Sequence, residues 1–291
     1  MRTFPNGSAP GIHSRLRPAS AHTVTAQRAR ARIRAHALPM AIAAVVLCAV
    51  GVPVATADGP AVIDRAHANA IVWSDDRVDA DRNRDVRRSP AELLVFARIG
   101  PGMTAADIGA GDGYTTELLA RAVGPEGRVY GHNTPTVVEK YVSETWPARL
   151  ARPVNANVVR VDREIASPLP RSAKDLDVVT MIFTYHDTYL SRRSDFDHKR
   201  YLRGLNKKMK PGGRIIVVDH RAKEGARGAE VFDELHRIDE ALVKEDFEAA
   251  GFVLEATADF MSNSDDPRAA PFFKMDLPTD AFVHRWVKPK G

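Results

Sequence analysis

Asp107-Ile108-Gly109-Ala110-Gly111-Asp112-Gly113-Tyr114 is the stretch on which the fold turns. An apolar run, Thr104–Ile108, precedes it and reads as a strand; Tyr114–Val123 follows with helical spacing of its apolar residues. A glycine-rich turn in that context presents free amides at a helix start to a ligand. Glycine also lets the ligand approach the backbone without meeting a β-carbon. A dinucleotide-binding loop spaced G-x-G-x-x-G would need glycine at 114, where this chain has Tyr114. The spacing here is D-x-G-x-G-x-G.

Working outward, short apolar runs alternate with helical segments. Strands are expected at Arg128–Gly131, Asn157–Val161, Leu176–Phe183, Arg214–Val218, Phe252–Thr257 and Phe282–Val287. Helices are expected at Glu92–Ile99, Val137–Thr145, Asp197–Met209 and Ile238–Ala250. Ser89-Pro90-Ala91-Glu92 reads as a helix start with a capping serine, and Gly100-Pro101-Gly102 as its stop. Alternation of this kind implies an α/β domain, a mostly parallel seven-stranded sheet with helices on both faces. The last two strands are joined by a loop, 261–280, which permits an antiparallel hairpin at one edge.

The glycine loop resembles the first motif of class I S-adenosylmethionine-dependent methyltransferases, and the fold that resemblance implies is Rossmann-like. Lys210-Pro211-Gly212-Gly213 before Arg214–Val218 is similar to the turn and fifth strand of that fold, and Ala249-Ala250-Gly251-Phe252 to the entry of its sixth. With Arg88-Ser89-Pro90-Ala91-Glu92 and Tyr185-His186-Asp187, these segments look like a group of exported bacterial proteins described as predicted methyltransferases. The Gly-Tyr-Thr ending of the loop and Val123-Gly124-Pro125-Glu126-Gly127 also resemble protein isoaspartate methyltransferases, but only as far as the second strand. The resemblance implies S-adenosylmethionine as cofactor, lined by Asp107, Gly109, Gly111 and Gly113, with Asp112 at its amino group. The second strand of the family ends in an acid that takes the ribose hydroxyls; here His132 and Asn133 stand there, and Asn133 can hydrogen-bond without the charge. Asp162, ending the third strand, is the candidate for the adenine amino group.

Ligands of open α/β sheets bind beyond the carboxyl ends of the strands. That places Tyr185, His186 and Asp187, after the fourth strand, beside Asp219 and His220, which end the fifth. His186 is the expected base, oriented by Asp187 or Asp219, with Tyr185 shaping the pocket and His220 as a second candidate. Farther along, His236 and Arg237 either reach over the substrate or belong to a helix start that Asp239 and Glu240 favour. A metal site is conceivable from His186, Asp187, His220, His236 and Asp239, but they show no recognisable ligand spacing and none is assigned.

The net charge of +5 belongs to the N-terminus. Residues 1–57 hold seven arginines and no acid, and the remainder carries 35 basic against 37 acidic side chains. Nucleic-acid binding is therefore not expected, and a small molecule is the expected substrate. The same 57 residues read as a signal peptide: a basic region ending at Arg32-Ile33-Arg34, an apolar stretch from Ala41 to Val50, and Ala55-Thr56-Ala57 as a cleavage pattern before Asp58. A periplasmic or secreted protein is expected, in contact with a membrane only if the leader stays uncleaved as an anchor. The single cysteine, Cys48, falls in the leader, which excludes disulfides and thiolate chemistry from the remainder. Residues 58–88 read as a polar lead-in, partly helical, ahead of a methyltransferase-like domain at 89–291. Nothing in the sequence speaks to oligomeric state.

Two other readings stand beside the enzyme. One is a binding module on the same fold that performs no transfer, since fold does not fix function. The other is a cytosolic enzyme that begins at Met40 or keeps its leader.

Overall fold

The computed structural model describes residues 61–291, so the expected leader and its cleavage site lie outside the described residues. The strands are β1 (Thr104–Ile108), β2 (Arg128–Asn133), β3 (Val158–Asp162), β4 (Leu176–Ile182), β5 (Met209–His220), β6 (Val253–Ala258) and β7 (Ala281–Val287). They form one sheet in the order β3-β2-β1-β4-β5-β7-β6. The five strands from β3 to β5 pair in parallel, and β7 runs antiparallel between β5 and β6. The expected edge hairpin is present. The reversal between β1 and β4 opens a crevice at their carboxyl ends, where the glycine loop stands.

Eight α-helices accompany the sheet among the described residues: α1 (Arg65–Val72), α2 (Asp79–Arg88), α3 (Pro90–Ala97), α4 (Tyr114–Val123), α5 (Pro135–Tyr141), α6 (Thr145–Leu150), α7 (His198–Lys208) and α8 (Glu240–Ala249). The sheet separates two apolar clusters. One packs Leu202, Leu205, Val243 and Phe247 of α7 and α8 against Ile215, Val217 and Trp286. The other packs Leu94, Leu118 and Leu119 of α3 and α4 against Ala105, Val129 and Ile216. Alternate residues of β5 thus enter opposite cores, as a strand covered on both faces requires.

Several boundaries differ from expectation for local reasons. Ser89 does not cap α3: it sits at φ 43°, and its hydroxyl donates to the Phe260 carbonyl at 3.1 Å. Asp197 and Asp239 do cap α7 and α8, accepting the amides of Arg200 and Ala241. The helix expected over 137–145 is two helices, broken at Val142–Glu144. No helix of the described residues is long and apolar enough to cross a membrane.

The segment read as a polar lead-in is built into the domain. Ile63, Ala68, Ile71 and Val72 join the second core cluster. The charges of α2 close a buried ion network. Asp81, 1% exposed, receives both terminal nitrogens of Arg149 at 2.6 and 2.8 Å, and Arg149 also meets Glu117 at 2.9 Å and donates to the Asp112 carbonyl at 2.7 Å. Arg84 pairs with the Asp112 carboxylate, while Asp85 takes Arg77 and the Tyr114 hydroxyl. The polarity of this segment therefore serves partners on the glycine loop and α4.

Two neighbours on β2 fix the loop from the other side. Asn133 accepts the Gly111 amide at 2.8 Å and donates to the Gly111 carbonyl at 2.9 Å. His132 donates from Nε2 to the Arg163 carbonyl at 2.9 Å, which leaves Nδ1 to face the Gly109 amide at 3.4 Å. Burial, partly offset by that carbonyl, lowers the His132 pKa to about 4 and keeps the ring in the form that can accept.

Two outcomes follow from these contacts. Asp81→Ala leaves Arg149 buried and short of a partner, and should lower the unfolding free energy by about 3 kcal/mol in urea titration; a change under about 1 kcal/mol would reject the role. His132 is neutral in both folded and unfolded chains above a pH of about 6.5, where its contribution is complete. As pH falls toward about 4, only the unfolded chain takes up the proton, and stability drops by up to ~1.4 kcal/mol per pH unit. The stability gap between the parent and His132→Gln should therefore narrow on acidification through that window. A gap independent of pH would contradict it.

Candidate active site

Two cavities meet over the carboxyl ends of the parallel strands. One, about 620 Å³, is lined by Arg84, Arg88, Asp107, Tyr114, Phe183 and His220 among others; the other, about 600 Å³, by His132, Asn133, Ile165, Thr184 and Asp187 among others. Gly109, Gly111 and Phe183 border both, so together they form a long cleft crossing the glycine loop. A cleft with a charged end and a partly apolar end fits an extended ligand of amino-acid plus nucleoside character.

The glycines have separate reasons. At Gly109, φ 75°, an added β-carbon would lie 2.3 Å from Thr184 Oγ1; at Gly113, φ 87°, it would lie 2.5 Å from the Trp146 ring. At Gly111 it would meet nothing within 4 Å, so that backbone faces open cleft. Gly113 thus makes room for Trp146 and does not line the cleft, a correction to its expected role. Asp107 lies at the foot of the loop, 1% exposed, its two oxygens taken by the hydroxyls of Thr116 and Thr180 at 2.7 Å each. Burial raises its pKa against those bonds.

Asp112 lines the cleft but is bound to Arg84, whose guanidinium holds its pKa down against burial. Asn133 borders the cleft with both ends of its amide engaged by Gly111, so it shapes the loop where an acid would take the ribose. Asp162 is exposed, pairs with Arg160 at 2.7 Å and lines neither cavity; the carboxylate that does so there is Glu164.

The expected catalytic residues come together and divide into layers. Asp219, fully buried at the end of β5, accepts the His186 amide at 2.8 Å, His186 Nδ1 at 2.7 Å and the His220 amide at 2.8 Å. Asp219, not Asp187, orients His186. Burial opposes the charged form of His186, but Asp219 outweighs it and the pKa shifts upward. His186 is nevertheless 2% exposed and lines neither cavity. Tyr185 does not shape the pocket: its ring is in the core and its hydroxyl donates to Asp246 at 2.7 Å.

Of His186 and His220, only His220 stands on the cleft wall. Phe183 stacks on its ring with centroids 4.3 Å apart and Phe272 at 4.9 Å, and Nδ1 lies 2.6 Å from Thr279 Oγ1. With those contacts taken, the ring offers the cleft its Nε2 edge. Burial lowers its pKa to about 3, so it is neutral at physiological pH. Phe183 itself sits at φ 56°, a conformation a bulky side chain adopts only under constraint, at a cost of about 1–3 kcal/mol.

Two residues of this wall carry no role in the sequence reading. Arg88, the last residue of α2, lies over the Phe183 ring at 4.5 Å and has no hydrogen-bonding or ion-pair partner among the described residues. Its place in a family-like segment is the sequence signal that points to it; Phe183 carries none beyond ending a strand. Arg237 does not reach over a substrate, because Asp266 binds it at 2.8 Å in full burial and ties down the 261–280 loop. Finally, His186, Asp187 and His236 bring ligand atoms within 4.8 Å of one another, a grouping that linear spacing does not reveal.

Comparison with solved structures agrees with this architecture. A S-adenosylmethionine-dependent methyltransferase from Aquifex aeolicus is 19% identical over 78% of this chain and 99% of its own, with a TM-score of 0.51. A chain from the complex between the Haloferax volcanii methyltransferase activator and a methyltransferase is 18% identical over 78% and 99%, with a TM-score of 0.50. At these identities the likeness speaks to fold alone. The sequence match is to the family model described as "Methyltransferase domain", over residues 106–217, from β1 through most of β5. Residues 106–217 thus match a methyltransferase-domain model within a Rossmann-like sheet, and S-adenosylmethionine is the cofactor that this match implies.

Proposed function

We propose that this chain transfers the methyl group of S-adenosylmethionine to a small-molecule acceptor, beyond the inner membrane. The observation that carries the reading is the cleft itself: a glycine loop with Gly111 open to it, an unpaired Arg88 at one end and the edge of His220 on the wall. The exported setting rests on the leader pattern of residues 1–57 alone.

Bound there, S-adenosylmethionine supplies an electrophilic methyl on a sulfonium that departs as a neutral thioether. Arg88 is assigned to its carboxylate, because a guanidinium held over an aromatic ring with its donors unspent is suited to a planar anion. The Gly109–Gly111 backbone receives the rest of the amino-acid end. Asn133 and His132 keep that backbone in place. The acceptor lies against Phe183, His220 and Phe272, with its nucleophilic atom toward the loop. His220 Nε2, neutral and facing the acceptor, would take the proton that the acceptor gives up and pass it to solvent. His186 and Asp219 position His220 from behind.

One observation favours the competing reading of a binding module without transfer: the end of β2 offers no free carboxylate for a ribose. Two measurements separate the two, and a third tests the leader. Arg88→Met should weaken S-adenosylmethionine binding at least tenfold, whereas His220→Asn leaves affinity within about twofold. In the same His220→Asn protein, labelled methyl transfer from S-adenosylmethionine into a small-molecule extract should fall by about 100-fold. Equal transfer in parent and His220→Asn would reject the role of His220, and no transfer by the parent would favour the binding module. N-terminal sequencing of exported protein should read from Asp58; an intact leader would reject the cleavage site.

A further inference from the structure

Behind the acceptor wall lies a set of donors whose free ligand atoms the methyl transfer proposed above does not use. His186 and Asp187 come from the turn after β4, and His236 from the loop before α8. One atom from each lies within 4.8 Å of the other two. His186 Nε2 and Asp187 Oδ1 are 3.6 Å apart, too far for a hydrogen bond. That gap suits two ligands of one tetrahedral ion, whose bonds of about 2.1 Å put neighbouring ligand atoms roughly 3.4 Å apart. The rings of His186 and His236 stand nearly perpendicular, at 87°, with centroids 5.6 Å apart. Imidazoles sharing an ion bring their centres to roughly 5 Å.

The surroundings prepare these atoms for a cation. Asp219 binds His186 Nδ1 at 2.7 Å, the carboxylate–histidine arrangement that orients a ligating imidazole and leaves Nε2 free. His236 is held at φ 50°, in the left-handed region, so the loop fixes its side chain at some cost in backbone energy. Among the described residues, no hydrogen bond engages His186 Nε2 or the His236 ring. Asp187 borders the cleft, so the cluster can be reached from it.

We propose that His186 Nε2, the Asp187 carboxylate and His236 bind one divalent transition-metal ion of the zinc class. Two imidazoles and a carboxylate match that class better than magnesium or calcium, which take oxygen ligands. Three protein ligands leave a position for water or for an acceptor oxygen. The site stands on its own donors and does not require the assignment of His220.

The test uses the full-length, untagged chain, stripped with chelator and titrated with Co²⁺ while visible absorption is followed. One Co²⁺ per chain should bind with a d–d band, and Zn²⁺ should displace it. His236→Asn, in which asparagine tolerates the left-handed backbone, and Asp187→Asn should each weaken binding at least tenfold with circular dichroism unchanged. Asp219→Asn should weaken it by about 10–100-fold through the orientation of His186. His67→Gln, an exposed residue of α1 outside the cluster, should leave it unaltered. Absence of the Co²⁺ band in the parent, or a band that survives both His236→Asn and Asp187→Asn, would overturn the proposal. Neither readout depends on cofactor or acceptor, so failure here leaves the methyl-transfer reading to its own tests.

Discussion

One buried carboxylate holds the His220 end of the cleft together. Asp219 receives a backbone amide from the turn after β4, a backbone amide from its own strand end and the Nδ1 of His186. A charge with no exposed surface is stable only when such donors surround it, and here they come from both β4 and β5. Parallel pairing brings the two strand ends to the same edge of the sheet. Asp219 then converts that proximity into a fixed relation between His186 and His220. The stacking of Phe183 and Phe272 on His220, and the approach of Arg88 to Phe183, are built on that relation.

The glycine-loop end of the cleft follows a different logic, in which backbone lines the opening and side chains hold it from behind. Asn133 and His132 grip the peptides of Gly111 and Gly109, while the ion network of Asp81, Arg84 and Arg149 closes on Asp112 and Glu117. Ligand-facing residues can then be glycine, because geometry is supplied by the layer beneath. Asn133 carries this to its limit: its amide is spent on the loop, at the place where the resemblance would put a ribose-binding acid.

Much of the fold was legible in the sequence because it rests on local signals. Period and glycine turns located seven strands and most helices, and the loop at 261–280 foretold the antiparallel edge. What was not legible depended on contacts between distant segments. The charges of 75–88 looked like a polar lead-in packed on the outside of the domain, since nothing in linear sequence pairs Asp81 with Arg149. Ser89 looked like a cap, but a left-handed backbone turned its hydroxyl to Phe260. Tyr185, His186 and Asp187 read as one catalytic group because they are adjacent. A 3-10 turn sends them three ways: into the core, onto Asp219 and toward the cleft. His236 joins His186 only through the folded chain, which is why ligand spacing gave no metal.

Methyl transfer by this chain depends on the cleft taking S-adenosylmethionine, with Gly111 as its open floor. The most direct measurement is calorimetric titration of the full-length chain with S-adenosylmethionine and with S-adenosylhomocysteine, the thioether that transfer would leave. One site per chain is expected for each, with Kd in the micromolar range. Absence of heat and of saturation for both at millimolar concentration would contradict it and leave the chain as a methyltransferase fold put to another use.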